Sequence, residues 1–215
     1  TIDIRKGVRP AVSDAMRGNV DFRALDNLDM PDNSSRNILV NPSFEQGLLG
    51  YHFFEEGYNQ SREKWETPMY ALDSKERVFG KNSLRITTFF AHKKGDDYRN
   101  LSTACNISTQ HVAVAPGVYT LSFYIKGSHP GEQTFNLWVA PYNYGPYTTW
   151  LAVKNGKLSL PVTKEWKRYV TTFRIESTMP LSVRFNAVSS RRRGFVWIDG
   201  LQVEKGDRMS AFDVK

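Results

Sequence analysis

Apolar and polar residues alternate through most of the chain from Asn37 onward. In "GVYTLSFYIKG", Tyr119, Leu121, Phe123 and Ile125 fall on one face, and Thr120, Ser122, Tyr124 and Lys126 on the other. "NSLRITTFF" sets Leu84 and Ile86 against Arg85 and Thr87, while "TFNLWVAPY" sets Phe135, Leu137 and Val139 against Asn136 and Trp138. "KRYVTTFRI" and "LSVRFNAVS" continue the series. Successive side chains leave a strand on opposite sides, so a period of two marks strands with one buried face. Turns carrying Gly, Pro or Asn separate the runs at short intervals, and no convincing amphipathic helix interrupts them. The pattern predicts an all-β protein, a two-sheet antiparallel sandwich or barrel.

The first stretch differs. "AVSDAMRGNVDFRALDNLDMPDNSSR" holds neither period and ends in a Pro/Asp/Asn/Ser cluster, the composition of a linker. Residues 1–36 are therefore expected to be an N-terminal extension or connector from a preceding domain, with one module over 37–215. The opening "TIDIRKGVRP" has neither an initiator Met nor a signal peptide, so the chain is expected to be cut from a larger protein, a reading compatible with a removed signal.

Alternation also identifies what is not core. Tyr124, Trp138, Arg184 and Asn186 all stand opposite the apolar positions of their strands. Two aromatics with an Arg and an Asn exceed what a plain surface requires, and they are expected to share one open sheet face. "APYNYGPYTTW" adds Tyr142 and Tyr144, with Tyr147 and Trp150, on a loop that Pro141 and Pro146 stiffen, either as a rim for ligand or as a clamp on its own domain.

Charge narrows the partner. The net charge is +7, fed by "HKK" (His92 to Lys94) and "RRR" (Arg191 to Arg193), which are either solvated loop charge or an attraction for an anionic polymer. No run of eighteen apolar residues is present, so no helix spans a membrane. The single cysteine, Cys105, rules out an internal disulfide and a cysteine-based zinc site. No nucleophile elbow, phosphate loop or His-Glu-x-x-His motif occurs, and the four histidines, His52, His92, His111 and His129, are not spaced for a local metal site. Carboxylate pairs such as "FFEEG" and "GDDY" are adjacent in sequence, so on a strand they point apart.

Five stretches in order carry a resemblance. "NILVNPSFEQGLLGY" (Asn37 to Tyr51), "GKNSLRI", "YTLSFYIKG", "TKEWKRYVTTFRI" and "VWIDGLQVEKGD" resemble the opening strand, three inner landmarks and closing strand of carbohydrate-binding modules of families 4, 9, 16 and 22. Tyr51 departs from the Trp usual in those modules. The resemblance implies a galactose-binding-like β-jelly roll and a non-catalytic module that binds a polysaccharide. The module would be a monomer joined to a carbohydrate-active enzyme such as a glycoside hydrolase, secreted or on the surface of a bacterium. Its ligand would be a glycan, acidic or sulfated in view of the charge, rather than nucleic acid or membrane. Tyr124, Trp138, Tyr142, Tyr144, Arg184 and Asn186 are the expected contacts, since aromatic rings stack on the flat C–H faces of sugars while Arg and Asn bond the hydroxyls.

The closing strand raises its own question, because Asp199 sits among strand-forming apolar residues. A buried carboxylate needs compensation. The resemblance supplies one answer, a structural Ca2+ held by Glu45 and Asp199 with backbone carbonyls near Asn82, and backbone N–H donors at a strand end supply another. Two other functions fit a jelly roll: a polysaccharide lyase or glycosidase, with His92 or Tyr98 near the cleft, and an interaction domain without a sugar ligand.

Overall fold

The computed structural model describes residues 36–55, 70–88, 105–141 and 158–212. The expected extension over 1–36 lies outside them except for Arg36. Also outside are Tyr142, Tyr144, Tyr147, Trp150, His92, Tyr98 and the Lys93–Lys94 pair.

All regular structure among the described residues is strand. One sheet contains β1 (Tyr51–Glu55), β4 (Cys105–Thr109), β10 (Met179–Ser189), β7 (Gln133–Pro141) and β8 (Leu158–Pro161) in that order, with β5 (Val112–Val114) added to β10. The other contains β2 (Tyr70–Asp73), β3 (Ser83–Thr88), β11 (Gly194–Lys205), β6 (Gly117–Gly127) and β9 (Lys167–Ile175). Every pairing is antiparallel, and successive long strands cross from sheet to sheet, which is the jelly-roll arrangement.

The alternation fixed which side faces inward. Leu121, Phe123 and Ile125 from β6, Leu84 and Ile86 from β3, and Val196, Ile198 and Val203 from β11 are fully buried. They meet Phe135, Leu137 and Val139 from β7 and Leu181, Val183 and Phe185 from β10. Phe123 and Phe135 bridge the two sheets with ring centroids 5.5 Å apart.

The "NILVNPSFEQGLLGY" segment is not a strand over most of its length; it forms turns up to Gly50. Pro42 has no N–H, and Asn41 and Phe44 adopt φ of 50° and 61°, so a ladder cannot continue through them. The Asn41 side chain closes the turn instead, donating to the carbonyls of Gly47 and Leu49 and accepting from Gln46 N. Asn37 docks the segment on β11: its Nδ2 donates to Leu201 O and its Oδ1 accepts from Val203 N. Both contacts lie beside an irregularity where β11 slips against β6 between Asp199 and Gln202. Phe44 is thereby driven into the core, stacked on Tyr51 at 4.8 Å, and Glu45 follows it at the sandwich edge.

Candidate functional site

The outward side of the β1-β4-β10-β7-β8 sheet gathers a polar surface in rows. Register aligns His52, Ser108, Arg184 and Trp138 across β1, β4, β10 and β7, so Arg184 and Trp138 are direct cross-strand neighbours. The adjacent row is a hydrogen-bonded ladder. Ser159 Oγ donates to Asn136 Oδ1 (2.8 Å), Asn136 Nδ2 to Asn186 Oδ1 (2.8 Å), and Asn186 Nδ2 to Asn106 Oδ1 (2.7 Å). All these bonds point the same way, so they polarise one another and leave the Asn106 amide as the terminal donor. Trp138 and Arg184 are half-buried and Ser159 is exposed.

His111, just beyond β4, adjoins this surface. Burial lowers its pKa, and the nearby charges of Arg184 and then His52 lower it further. Among the described side chains no carboxylate stands at an outward position of this sheet.

The structure brings together three of the expected ligand contacts and separates a fourth. Trp138, Arg184 and Asn186 share this face. Tyr124 does not: it lies on β6, in the other sheet, opposite Asp199 and Arg168. Its ring takes Phe79 edge-on at 5.3 Å and the Arg168 guanidinium at 5.5 Å. Asn186 is largely buried and braces its neighbours, so the more accessible amide in its row is Asn106. Asn106, Asn136, His52 and His111 were not among the expected contacts; the outward phase of Asn106 and Asn136 was legible, but the pairing that joins them was not. The Arg191–Arg193 run is partly neutralised, because Arg192 makes a two-pronged contact with Glu132 (2.8 and 3.0 Å).

On the opposite outer face most described charged groups are paired within the chain. Trp197 Nε1 donates to Asp73 Oδ2 (3.0 Å), Lys126 pairs with Glu76 (2.7 Å) and lies 5.5 Å over Trp197, and Arg85 lies 4.8 Å over Phe195. The C-terminal segment covers a further part, while Val170, Thr172 and Arg174 of β9 stay exposed. Ser210 donates to both oxygens of Glu204 (2.6 and 2.7 Å), its carbonyl accepts from Arg168, and Phe212 stacks on Phe79 at 4.3 Å.

Asp199 is fully buried and takes backbone N–H groups on both oxygens: Val78 (2.7 Å) and Phe79 (2.9 Å) on Oδ2, Gly200 (2.7 Å) on Oδ1. Glu45 uses Oε1 alone, accepting from Lys81 (2.7 Å) and Asn82 (3.0 Å). Gly80 is needed between them: a Cβ there would lie 2.3 Å from Glu45 Cδ. Burial chiefly, then the charge of Glu45, holds the Asp199 carboxyl up at about 6 against the pull of its three N–H donors. Two neighbouring carboxylates with an uncommitted Glu45 Oε2 fit a hard cation such as Ca2+. Asn82 faces Glu45 with its N–H, and the described residues contain no group of three or more acidic, His or Cys side chains suited to a metal. Any shell would therefore be completed by backbone oxygens.

Solved structures of the same architecture exist. A family 61 carbohydrate-binding module in complex with β-1,4-galactotriose superposes with TM-score 0.51 at 16% identity, covering 80% of this chain and 100% of that one. The chain is similar in fold to carbohydrate-binding modules. A family 16 module matches at TM-score 0.51 and 15% identity over 79% of this chain and 100% of its own. The K3 adhesin domain of Lys-gingipain from Porphyromonas gingivalis w83 matches at 0.50 and 12%, over 77% and 98%. No family model and no curated protein sequence matches the chain. At such identities the likeness establishes the jelly roll, and a reading of function rests on the site.

Proposed function

We propose that the protein is a non-catalytic polysaccharide-binding module whose ligand lies across the outward face of the β1-β4-β10-β7-β8 sheet. The observation that carries this reading is the pairing of Trp138 with Arg184 beside the Ser159–Asn136–Asn186–Asn106 ladder. An indole supplies a stacking platform for a sugar ring, and amides already held by one another bond hydroxyls with little further loss of entropy. The fold shared with galactotriose-binding and related modules supports it. Glycoside hydrolysis generally uses two carboxyl groups about the scissile bond. The described outward positions of this sheet carry none, which supports binding without turnover. The +7 charge favours an acidic or sulfated polymer over a neutral one.

The same reading makes Glu45 and Asp199, with backbone carbonyls near Asn82, the ligands of a structural Ca2+; the support is that one stretch, 78–82, holds both carboxylates through its N–H groups and leaves Glu45 Oε2 over. It makes the protein a secreted or cell-surface bacterial module, a monomer appended to a carbohydrate-active enzyme.

Affinity electrophoresis in gels containing neutral and sulfated polysaccharides, with a product assay in parallel, tests it. Retardation without products is expected. Trp138→Ala should weaken binding roughly tenfold, the equivalent of about 1.4 kcal/mol, with the melting temperature kept. Products would establish an enzyme, and retardation unchanged by Trp138→Ala would remove the ligand from this face.

A further inference from the structure

One loop positions both members of the Glu45–Asp199 pair, and no strand ladder holds it there. Between β2 and β3 the chain runs through bends over 74–82. Val78 and Phe79 donate to Asp199 Oδ2, while Lys81 and Asn82 donate to Glu45 Oε1. The first part of the loop is tied down by Glu76, which pairs with Lys126 (2.7 Å). Its middle is tied down by a ring. Phe79 packs edge-on to Tyr124 at 5.3 Å, and it lies so near Gly200 that a Cβ there would come within 2.7 Å of Phe79 Cε2. Another side of the ring is covered by Phe212, stacked at 4.3 Å with 28° between the planes.

Phe212 is delivered by a strap laid over β11 and β9. Ser210 anchors that strap: its N and Oγ donate to the two oxygens of Glu204 (2.6 and 2.7 Å), and its carbonyl accepts from Arg168 (3.0 Å). Gln202 Nε2 donates to Ser210 Oγ (3.0 Å). Gln202 and Glu204 are both buried. Without Phe212, one side of the Phe79 ring would meet water. The loop could then exchange its bonds to Asp199 and Glu45 for bonds to water at less cost. Order in the strap and order in the loop are therefore joined through one ring contact.

We propose that Phe212 is a positioning residue for a cation held by Glu45 and Asp199: by fixing Phe79, the C-terminal strap fixes the spacing of the two carboxylates, so that strap and cation stabilise each other. The inference rests on the Ca2+ reading of this pair and deepens it by giving the site a remote anchor. Neither ring is a ligand. Asp199 Oδ1 takes one N–H, from Gly200, and Glu45 accepts its two N–H groups on Oε1, so Asp199 Oδ1 and Glu45 Oε2 keep lone pairs for the ion. Calcium accepts an irregular oxygen shell, but every group that must be ordered as it binds subtracts from affinity. Groups that hold ligands without touching the metal commonly shift affinity by about 10–100-fold. Linkage makes the effect reciprocal: whatever the strap adds to cation affinity, the cation adds to closure of the strap.

The test is calorimetric titration of Ca2+ into the full chain and into Phe212→Ala, Phe212→Tyr and Met209→Ala. Phe212→Ala should weaken Ca2+ binding roughly tenfold. Phe212→Tyr keeps the ring, and Met209 is an exposed strap position outside these contacts, so both variants should bind as the native chain does. The reciprocal readout is hydrogen exchange at the Ser210 amide, whose N–H is held by Glu204. Saturating Ca2+ should slow that exchange roughly tenfold in the native chain and leave it unchanged in Phe212→Ala. If Phe212→Ala melts early, the exchange measurement on the native chain carries the test. Ca2+ affinity that Phe212→Ala leaves unchanged, an equal loss in Met209→Ala, or Ser210 exchange indifferent to Ca2+ each overturn the coupling and leave the ion in place. A native chain that binds no Ca2+, or binding that survives Asp199→Ala, overturns the Ca2+ reading and the coupling with it.

Discussion

Replacing Asp199 with alanine removes the acceptor of the Val78, Phe79 and Gly200 N–H groups at once. Hydrogen bonds to a charged acceptor contribute about 1.5–3 kcal/mol each, so three amount to about 5–9 kcal/mol. Against this stands the cost of holding the carboxylate charged in a buried position. Its pKa stands at about 6 against an ordinary 3.8 even with the three N–H donors in place, so burial offsets more than those bonds give the charged form. The net loss is therefore well below that sum, about 2–4 kcal/mol, the range for orphaning buried polar groups, and for a domain of this size that is a melting temperature lower by on the order of 10 °C. Asp199→Asn keeps the shape and one acceptor oxygen, so it should fall between the two. Thermal unfolding by circular dichroism, with and without added Ca2+ or chelator, separates the clamp from the metal. A native protein that melts lower in chelator beside an Asp199→Ala variant that ignores it supports Ca2+ at Glu45 and Asp199. An unchanged melting temperature in Asp199→Ala refutes the clamp, and a variant that keeps the native response to chelator refutes the ion at this position.

Two further perturbations divide core from surface. Leu137→Ala should cost about 2–5 kcal/mol, seen as a lower denaturant midpoint, because its fully buried side chain leaves a cavity; a harmless Leu137→Ala with an unfolded Trp138→Ala would invert the register of β7. Truncation after Asp207 removes Ser210 and Phe212 from Glu204 and Phe79. It should cost about 2–3 kcal/mol in thermal unfolding by losing charge-assisted bonds and a ring stack, yet leave glycan affinity unchanged, since the segment covers the other sheet; a parallel loss of affinity would show the wrong face was assigned.

The alternation in β6, β7 and β10 was sufficient to place Leu121, Phe123, Leu137, Val183 and Phe185 in the core, and the structure buries all five, though it also buries the outward Ser122, Asn136 and Ser182. Period two is a local property, however, and it gives a side chain's direction only relative to its own strand. β6 and β7 are consecutive in sequence but belong to different sheets, so their outward residues leave the sandwich in opposite directions. That is why Tyr124 parted from Trp138. His52 was not joined to the site for a related reason: it enters the row of Arg184 only through the pairing of β1 with β4 and of β4 with β10. The question raised by Asp199 could be posed from sequence, but the loop around Val78 and Phe79 that meets it carries no motif announcing amide donors.

The two outer faces show how one architecture divides stability from recognition. On the β2-β3-β11-β6-β9 sheet, carboxylates and cations occur together and meet one another: Asp73 with Trp197 and Arg85, Glu76 with Lys126, Glu204 with Ser210. A ligand there would have to displace bonds already made, so its gain would be small. Among the described residues of the other sheet the outward polar groups are amides, hydroxyls, imidazoles and one guanidinium, and the ladder that joins the amides runs in a single direction. Such a ladder fixes its members before any ligand arrives and still presents its terminal donor outward. An indole sits one strand from a guanidinium beside it. Amides ordered by one another before a ligand arrives lose little further freedom when they bond its hydroxyls, which is what the proposed binding face requires of them.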